Sequence, residues 1–274
     1  MDPHQYCRQR CAPPGSAFYY SVRVLPPDLQ RAAVALEAFR REVTGIANEV
    51  RDPGVARTKL AWWHGEIESL YAGEPHHPVT RALAAALAPH GIERGALEDV
   101  LQAAAMDLEY NAYPDVDALE VYCRRVRGVP QRLLSRVFGF DDAKTLEHAQ
   151  ELGIALELTR IVRDAGEDAR HGRVYLPLHD MAEHGVTSDD LAHARETDAF
   201  RRLIAAGIAR ADARYDRAMA LLPPGDRKSQ RPGLVMAAIE RALLREIEAD
   251  GCRVLTQRTS LTPLRMLWIS MRTR

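Results

Sequence analysis

From residue 29 onward, apolar side chains recur every three or four positions. Leu29, Ala32, Leu36, Phe39, Val43, Ile46 and Val50 mark one face of a helix. Pro26-Pro27-Asp28 stops the preceding segment and offers Asp28 as N-cap, and Asp52-Pro53-Gly54 ends the helix. The same period predicts helices over Val55–Tyr71, Pro78–Ala88, Gly95–Glu109, Asp117–Val137, Ala143–Ala169, Ser188–Leu222 and Gly233–Gly251. Breaks fall at Glu74-Pro75, Tyr113-Pro114-Asp115, Tyr175-Leu176-Pro177 and Pro223-Pro224-Gly225-Asp226. Strand alternation is hard to find. Short loops, with no long linker and no internal repeat, predict one all-α domain over residues 1–274.

Composition narrows the classes of function. A hydrophobic content of 46% over 274 residues supplies a sizeable core and excludes a disordered chain. The formal charge of −1 argues against a nucleic-acid partner and leaves a small-molecule ligand open. Residues Met1 to Cys11 are polar and carry Arg8 and Arg10, unlike a secretory signal, so a cytoplasmic location is expected. No uncharged apolar run approaches the roughly 18 residues of a membrane span, which limits any bilayer contact to a peripheral one. Cys7 and Cys11 lie one helical turn apart, with Cys123 and Cys252 far off in separate predicted helices. Neither zinc spacing nor a disulfide framework results, and idle buried thiols are expected. His179 and His184, at i and i+5, do not share a helix face and are expected to be solvated.

Two predicted helices carry a polar stripe beside the apolar one. Glu37, Arg41, Thr44 and Asn48 follow one edge of the first, and Glu157, Arg160, Asp164 and Asp168, with Glu167 adjoining, follow one edge of the other. Two such stripes can line a common cleft. Asp164 and Asp168, one turn apart, aim two carboxylates at one point, as a hard cation such as Mg²⁺ requires when it also holds phosphates. Acidic i, i+4 pairs are also ordinary on solvated faces, and Arg163 and Arg170 nearby can simply balance this one.

The residues around the pair add to this. The stretch Leu158 to Pro177, LTRIVRDAGEDARHGRVYLP, resembles the second aspartate-rich motif of the squalene/phytoene synthase family, with the nearest likeness to bacterial presqualene diphosphate synthases of the hopanoid pathway. Gly15-Ser16-Ala17-Phe18-Tyr19-Tyr20-Ser21 and the run from Leu60-Ala61-Trp62-Trp63 to His77-Pro78-Val79-Thr80 extend the resemblance. So do Asp107-Leu108-Glu109-Tyr110, Tyr122-Cys123, Ser229-Gln230-Arg231-Pro232-Gly233 and Ser260-Leu261-Thr262-Pro263-Leu264, in order along nearly the whole chain. The resemblance implies an all-α isoprenoid synthase fold, a helical bundle around a central cavity closed by two aspartate-rich helices. It further implies Mg²⁺ bridging aspartates to diphosphate, with head-to-head coupling of two prenyl diphosphates. Departing diphosphate builds negative charge that metal ions and cationic side chains stabilise, while the tails need a dry tunnel.

The chain departs from that pattern at several places. The first aspartate motif aligns with Ala38 to Glu49, where the family's acids are replaced by Thr44, Gly45 and Asn48. Two neutral oxygens and no side chain cannot supply the charge that holds Mg²⁺, although Glu49 persists beside them. Glu157 and Arg160 stand where the family usually has Gln and Asn, and Arg160, four residues before Asp164, is expected to pair with it where a metal would sit. Val126-Arg127-Gly128-Val129-Pro130-Gln131 replaces a run of small residues, and Glu37 and Glu240 replace tyrosines. Buried charges need partners. Arg40, Arg41, Arg127 and Arg160 are the candidates.

The resemblance and the departures together give the candidate site. Tyr19, Arg41, Thr44, Asn48, Arg127, Glu157, Arg160 and Glu240 occupy the catalytic positions. Ser16, Arg41, Arg170, Arg173 and Tyr175 are the substrate-binding candidates, and Asp164, Glu167 and Asp168 would hold a weakly bound Mg²⁺. Each has a structural alternative. Phe18, Tyr19, Tyr20, Trp62 and Trp63 can be core aromatics, Arg127 and Arg160 can lean into solvent, and the two aspartates can serve only as arginine partners. Three functions follow: a prenyl-diphosphate transferase with a lopsided metal site, a non-catalytic binding or assembly protein with a protein partner, or an enzyme acting on a more polar substrate. In each the ligand of the central cavity is a prenyl diphosphate or a more polar small molecule.

Overall fold

The computed structural model describes residues 2–50 and 52–273, without the side chain of Asn48. Three helices form its first layer: α1 (Pro3–Cys11), α2 (Ala17–Val22) and α3 (Pro27–Glu49). On α3 the predicted stripe holds, with Ala32, Leu36, Phe39, Val43 and Ile46 all buried. Its start does not follow the expectation. Pro26 is the capping residue and makes no side-chain cap, whereas Asp28 sits inside the first turn, where its charge suits the helix dipole.

α4 (Pro53–Ala72), α5 (Pro78–Leu87) and α6 (Arg94–Glu109) follow, each close to its predicted span. Asp52 caps α4 by accepting from the Gly54 and Val55 amides at 2.7 and 3.0 Å. The α4–α5 link is pinned by Glu66, which is buried and accepts from the amides of His76 and His77 and from the Thr80 hydroxyl. The His77-Pro78-Val79-Thr80 motif is therefore an anchor for the frame.

The helix predicted over Asp117–Val137 is interrupted. α7 (Val116–Cys123) passes into a π-helical turn, Arg124–Gly128, before α8 (Val129–Phe138). Pro130 lacks an amide and its ring crowds the carbonyl of Val126, so the α-helical ladder cannot run through this point. The wider turn resolves the conflict and presents Arg127.

α9 (Lys144–Arg170) is the central helix, packed against α8, the π turn and the elements α12 and α13 introduced below. It is buried on nearly every face although its sequence is not apolar, so its polar side chains must find partners. His148 pairs with the Ala218 carbonyl at 2.7 Å, Thr159 with the Tyr215 hydroxyl at 3.0 Å, and Glu151 accepts from Arg214 at 2.8 Å. Gly153 lets α9 approach the π turn. A Cβ there would stand 2.5 Å from the Arg127 carbonyl oxygen.

The remaining helices are α10 (Leu178–His184), α11 (Ser188–Ala192), α12 (Asp198–Leu221), α13 (Arg231–Ala249) and α14 (Pro263–Arg272). The predicted Ser188–Leu222 helix is split because Ala194 adopts φ 50° and Thr197 starts a new helix by accepting the Phe200 amide at 3.1 Å. α10 and α14 were not foreseen as helices. Among the described residues, strand pairing is limited to a single bridge between Ala112 and Val174. No helix there is long and apolar enough to cross a membrane. The four cysteines are free and buried, with Cys252 just beyond α13 rather than inside a helix. His179 and His184 lie at or near the surface of α10.

Candidate ligand-binding cleft

A cleft of about 340 Å³ opens between α2, α3, α9, α13 and the π turn. Six arginines line it: Arg40 and Arg41 from α3, Arg127 from the π turn, Arg160 and Arg163 from α9, and Arg258 from the segment before α14. Two glutamates, Glu157 and Glu240, face them, with Ser16, Phe18, Leu156 and Met236 completing the wall. The charged replacements therefore do converge.

Behind the arginines of α3 lies Glu37, 2% exposed. It accepts from Arg40 at 2.7 and 2.9 Å, from Arg41 at 3.0 Å and from Arg127 at 3.4 Å. Burial alone would push its carboxyl upward. The charges of Arg40 and Arg127 and the hydrogen bond from Arg40 overcome this and hold it well below the usual carboxylate range. The residue acts as a buried counterion for three guanidinium groups.

On α9 the pairing differs from the expectation. Arg160 does not pair with Asp164. Its Nε donates to Glu157 and its Nη1 to Asp168 at 3.1 Å, while the guanidinium lies 4.8 Å from the Tyr175 ring centre. Asp164 is held instead by Arg163 at 2.5 and 2.8 Å and by Arg258 at 3.0 Å. Burial pushes both aspartates upward. At Asp164 the hydrogen bond and charge of Arg163 reverse the shift, whereas Asp168 stays raised despite Arg160. The remaining hydrogens of Arg160 are unmatched: its Nη2 is buried without an acceptor.

Tyr175 is buried under that guanidinium and donates its hydroxyl to Asp107 at 2.6 Å, and Tyr122 donates to the other oxygen at 3.1 Å. Burial lifts the Asp107 carboxyl to about 6 against these two bonds and the charges of Arg173 and Arg160. Glu240 is also raised by burial, against the charges of Arg163 and Arg127.

The other candidates divide between the cleft wall and positions outside it. Ser16 lines it while capping α2 through the Tyr19 amide at 3.2 Å, but Tyr19 itself packs edge-on against Tyr20. Phe18 and Tyr20 are core residues, as is Trp63, whereas Trp62 is about half exposed. Arg170 donates to the Leu255 carbonyl and Arg173 to that of Ala47, so neither reaches the cleft lining. Thr44 turns its hydroxyl back to the Arg40 carbonyl at 2.9 Å. Glu49 is bonded at 2.5 Å to Arg10, which also contacts Glu42 at 2.9 Å, so the acids left around the first motif are neutralised from α1. The side chain of Asn48 lies outside the described residues. Arg258 was missed by the sequence reading, because ninety-four residues separate it from Asp164 and no local spacing connects them.

An all-helical bundle with a charged cleft, to which the two stripes contribute Arg41, Glu157 and Arg160, defines the class of fold. A model of the squalene/phytoene synthase family matches residues 12–265. The chain is 29% identical to the chloroplast phytoene synthase of an Oncidium hybrid cultivar, over 97% of the chain but 66% of that protein, so it spans slightly under two thirds of that relative's length. It is 31% identical to the phytoene synthase of Arthrospira platensis, covering 94% of the chain and 87% of that protein. The crystal structure of squalene synthase HpnC from Alicyclobacillus acidocaldarius superposes with a TM-score of 0.77 at 26% identity, covering 91% of this chain and 94% of that one. The chain belongs to the squalene/phytoene synthase family and has the helical isoprenoid synthase fold.

The family's Mg²⁺ does not fit these side chains as they stand. Asp164 and Asp168 each carry a guanidinium, Glu167 is itself 3.8 Å from Arg258, and the facing helix offers Thr44 and Gly45. Among the described residues no group of three His, Cys, Asp or Glu converges as a metal site would need.

Proposed function

We propose that this protein uses the family's cavity to bind a compact phosphate- or diphosphate-bearing ligand through arginine in place of metal, and that head-to-head coupling of two prenyl diphosphates is not its activity. The observation that carries this reading is Arg160: its guanidinium bridges Glu157 and Asp168 and leaves Nη2 buried with no acceptor, facing five further arginines. An orphaned charged donor in a cleft is relieved by an anionic oxygen. Arginine also suits this task better than lysine, because its planar fork grips phosphate oxygens two at a time.

The cleft's size supports the same reading. At about 340 Å³ it stands near the lower end of the roughly 300–1,000 Å³ range of small-molecule sites. Prenyl tails entering it would meet Arg127, Glu157, Arg160 and Glu240, whose desolvation costs several kcal/mol each. Burying a CH₂ returns only about 0.8 kcal/mol.

Two measurements on the purified chain test the proposal. Calorimetry with inorganic diphosphate in EDTA is expected to show saturable binding that Arg160→Gln weakens by about tenfold or more, the loss of a charge-assisted pair. Labelled farnesyl diphosphate, incubated with and without Mg²⁺, is expected to yield no presqualene diphosphate or squalene. Turnover on the order of 1 s⁻¹ or faster would restore the family reaction, and absence of diphosphate binding would remove the ligand assignment.

A further inference from the structure

The last twenty-four residues, 251–274, contain five arginines and no acidic residue, in a chain whose overall charge is −1. Within them α14 turns three large apolar side chains to solvent: Leu264 at 77%, Trp268 at 52% and Met271 at 62% exposure. Their spacing, i, i+4 and i+7, places them on one face of the helix. Arg265 and Arg272 flank that face; Arg265 is paired with Glu246 of α13, and Arg272 holds its guanidinium 4.3 Å from the Trp268 ring centre.

The opposite side of α14 is fixed to the protein. Ser270 is buried, Met266, Leu267 and Ile269 pack on the core, and Arg231 donates to the Ser270 and Thr273 carbonyls at 3.3 and 3.1 Å. The exposed stripe is thus presented by an anchored helix. Ten residues are too few to span a bilayer, but a short helix with an apolar face, an interfacial tryptophan and flanking arginines suits the headgroup boundary.

We propose that this face of α14 docks on an anionic bilayer, the helix lying in the plane of the surface. Charge decides between this and a second copy of the chain. Arg258 and Arg265 are already paired with Asp164 and Glu246, but a two-fold contact through α14 would still set Arg272 against its own copy and juxtapose like charges, whereas anionic headgroups neutralise them. Docking of α14 is independent of what the cleft binds.

The test uses the full chain and vesicles of phosphatidylglycerol mixed with phosphatidylcholine, compared with phosphatidylcholine alone. Flotation is expected to carry the protein with the anionic vesicles at low salt. Binding should fall by about tenfold at ~0.5 M salt, where the Debye length is only about 4 Å. The variant Leu264→Ser/Trp268→Ser/Met271→Ser changes only exposed positions. It is expected to keep the helical circular dichroism and melting temperature of the parent while losing vesicle binding about tenfold or more. Failure of the parent to bind anionic vesicles, or equal binding by the triple variant, overturns the proposal. So does light scattering that shows a dimeric parent and a monomeric variant, which assigns the face to a second copy.

Discussion

Arg160 Nη1 stands 3.1 Å from Asp168 Oδ2, two helical turns further along α9, while Arg160 Nε holds Glu157 on the turn before. A single guanidinium thus neutralises a position in the cavity wall and one of the two aspartates of the family's second motif. Its plane is set by Tyr175 beneath it, and Tyr175 is set in turn by Asp107. A chain of contacts from Asp107 through Tyr175 and Arg160 to Asp168 replaces what in an acidic site would be open coordination.

Metal affinity follows from this relationship. Mg²⁺ titrated calorimetrically into the parent is expected to bind weakly, because Asp168 and Asp164 are occupied by Arg160 and by Arg163 with Arg258. Replacing Thr44 and Asn48 by Asp adds two acids on α3 but leaves that competition in place. The triple variant Thr44→Asp/Asn48→Asp/Arg160→Asn should bind Mg²⁺ at least about tenfold more tightly than the same double variant with Arg160 intact. Equal affinities would show that Arg160 does not compete.

Glu37 is the buried counterion of Arg40, Arg41 and Arg127, so Glu37→Gln leaves three clustered guanidinium groups without it. Breaking a buried pair from one side costs about 3–5 kcal/mol. Urea denaturation at neutral pH should show a loss of that size. A loss below about 1 kcal/mol, the worth of an exposed pair, would mean that water already shares these charges.

The pH dependence of stability contains a signature of Asp107. Its folded carboxyl is lifted to about 6, above an unfolded value of about 3.9. The stability it contributes is therefore fully present below about pH 4 and lost as pH rises through about 6. Glu37 and Asp164, both held below the ordinary range, have the opposite sign, and their contributions are complete above that window. Between pH 4.5 and 7, Asp107→Asn should gain on the parent by about 2 kcal/mol in unfolding free energy. A difference that stays flat across this range would show that Asp107 is charged throughout.

Much of this architecture was legible in the sequence because it depends on local spacing. The apolar period gave α3, α4, α5, α6, α9 and α13 to within a few residues, and the two polar stripes contribute Arg41, Glu157 and Arg160 to one cleft, which Arg127 and Glu240 join from other elements. The partners were less legible. The i, i+4 rule paired Arg160 with Asp164, but Arg163 beside Asp164 and Arg258 far along the chain hold that carboxylate, leaving Arg160 to reach Asp168. Arg170 and Arg173, assigned to substrate by resemblance, satisfy main-chain carbonyls that only the folded chain brings near. The split at Ala194 and the π turn before Pro130 likewise reflect competition that an apolar period does not record.

The π turn also makes the cleft sensitive to a residue that never lines it. Gly153 on α9 lies so close that a Cβ would meet the Arg127 carbonyl oxygen at 2.5 Å, Gly128 Cα at 2.6 Å and the Arg127 carbonyl carbon at 2.8 Å. All three atoms belong to the backbone, which cannot swing aside as a side-chain tip would. Gly153→Ala must therefore push the π turn from α9, at a cost of about 3 kcal/mol for overpacking at the upper end of its usual range. Since Arg127 is carried on that turn, its guanidinium moves with it, away from Glu37 and the other cleft arginines. Gly65 on α4 provides the contrast, with nothing within 4 Å of an added Cβ. There the substitution to Ala should stabilise the helix by roughly 0.5–1 kcal/mol by restricting the unfolded chain. Thermal denaturation of the two variants should shift in opposite directions, and calorimetry below the lower midpoint should find diphosphate affinity reduced only in Gly153→Ala. Parallel shifts, or undiminished affinity in Gly153→Ala, would show that the π turn is free to move without consequence for the cleft.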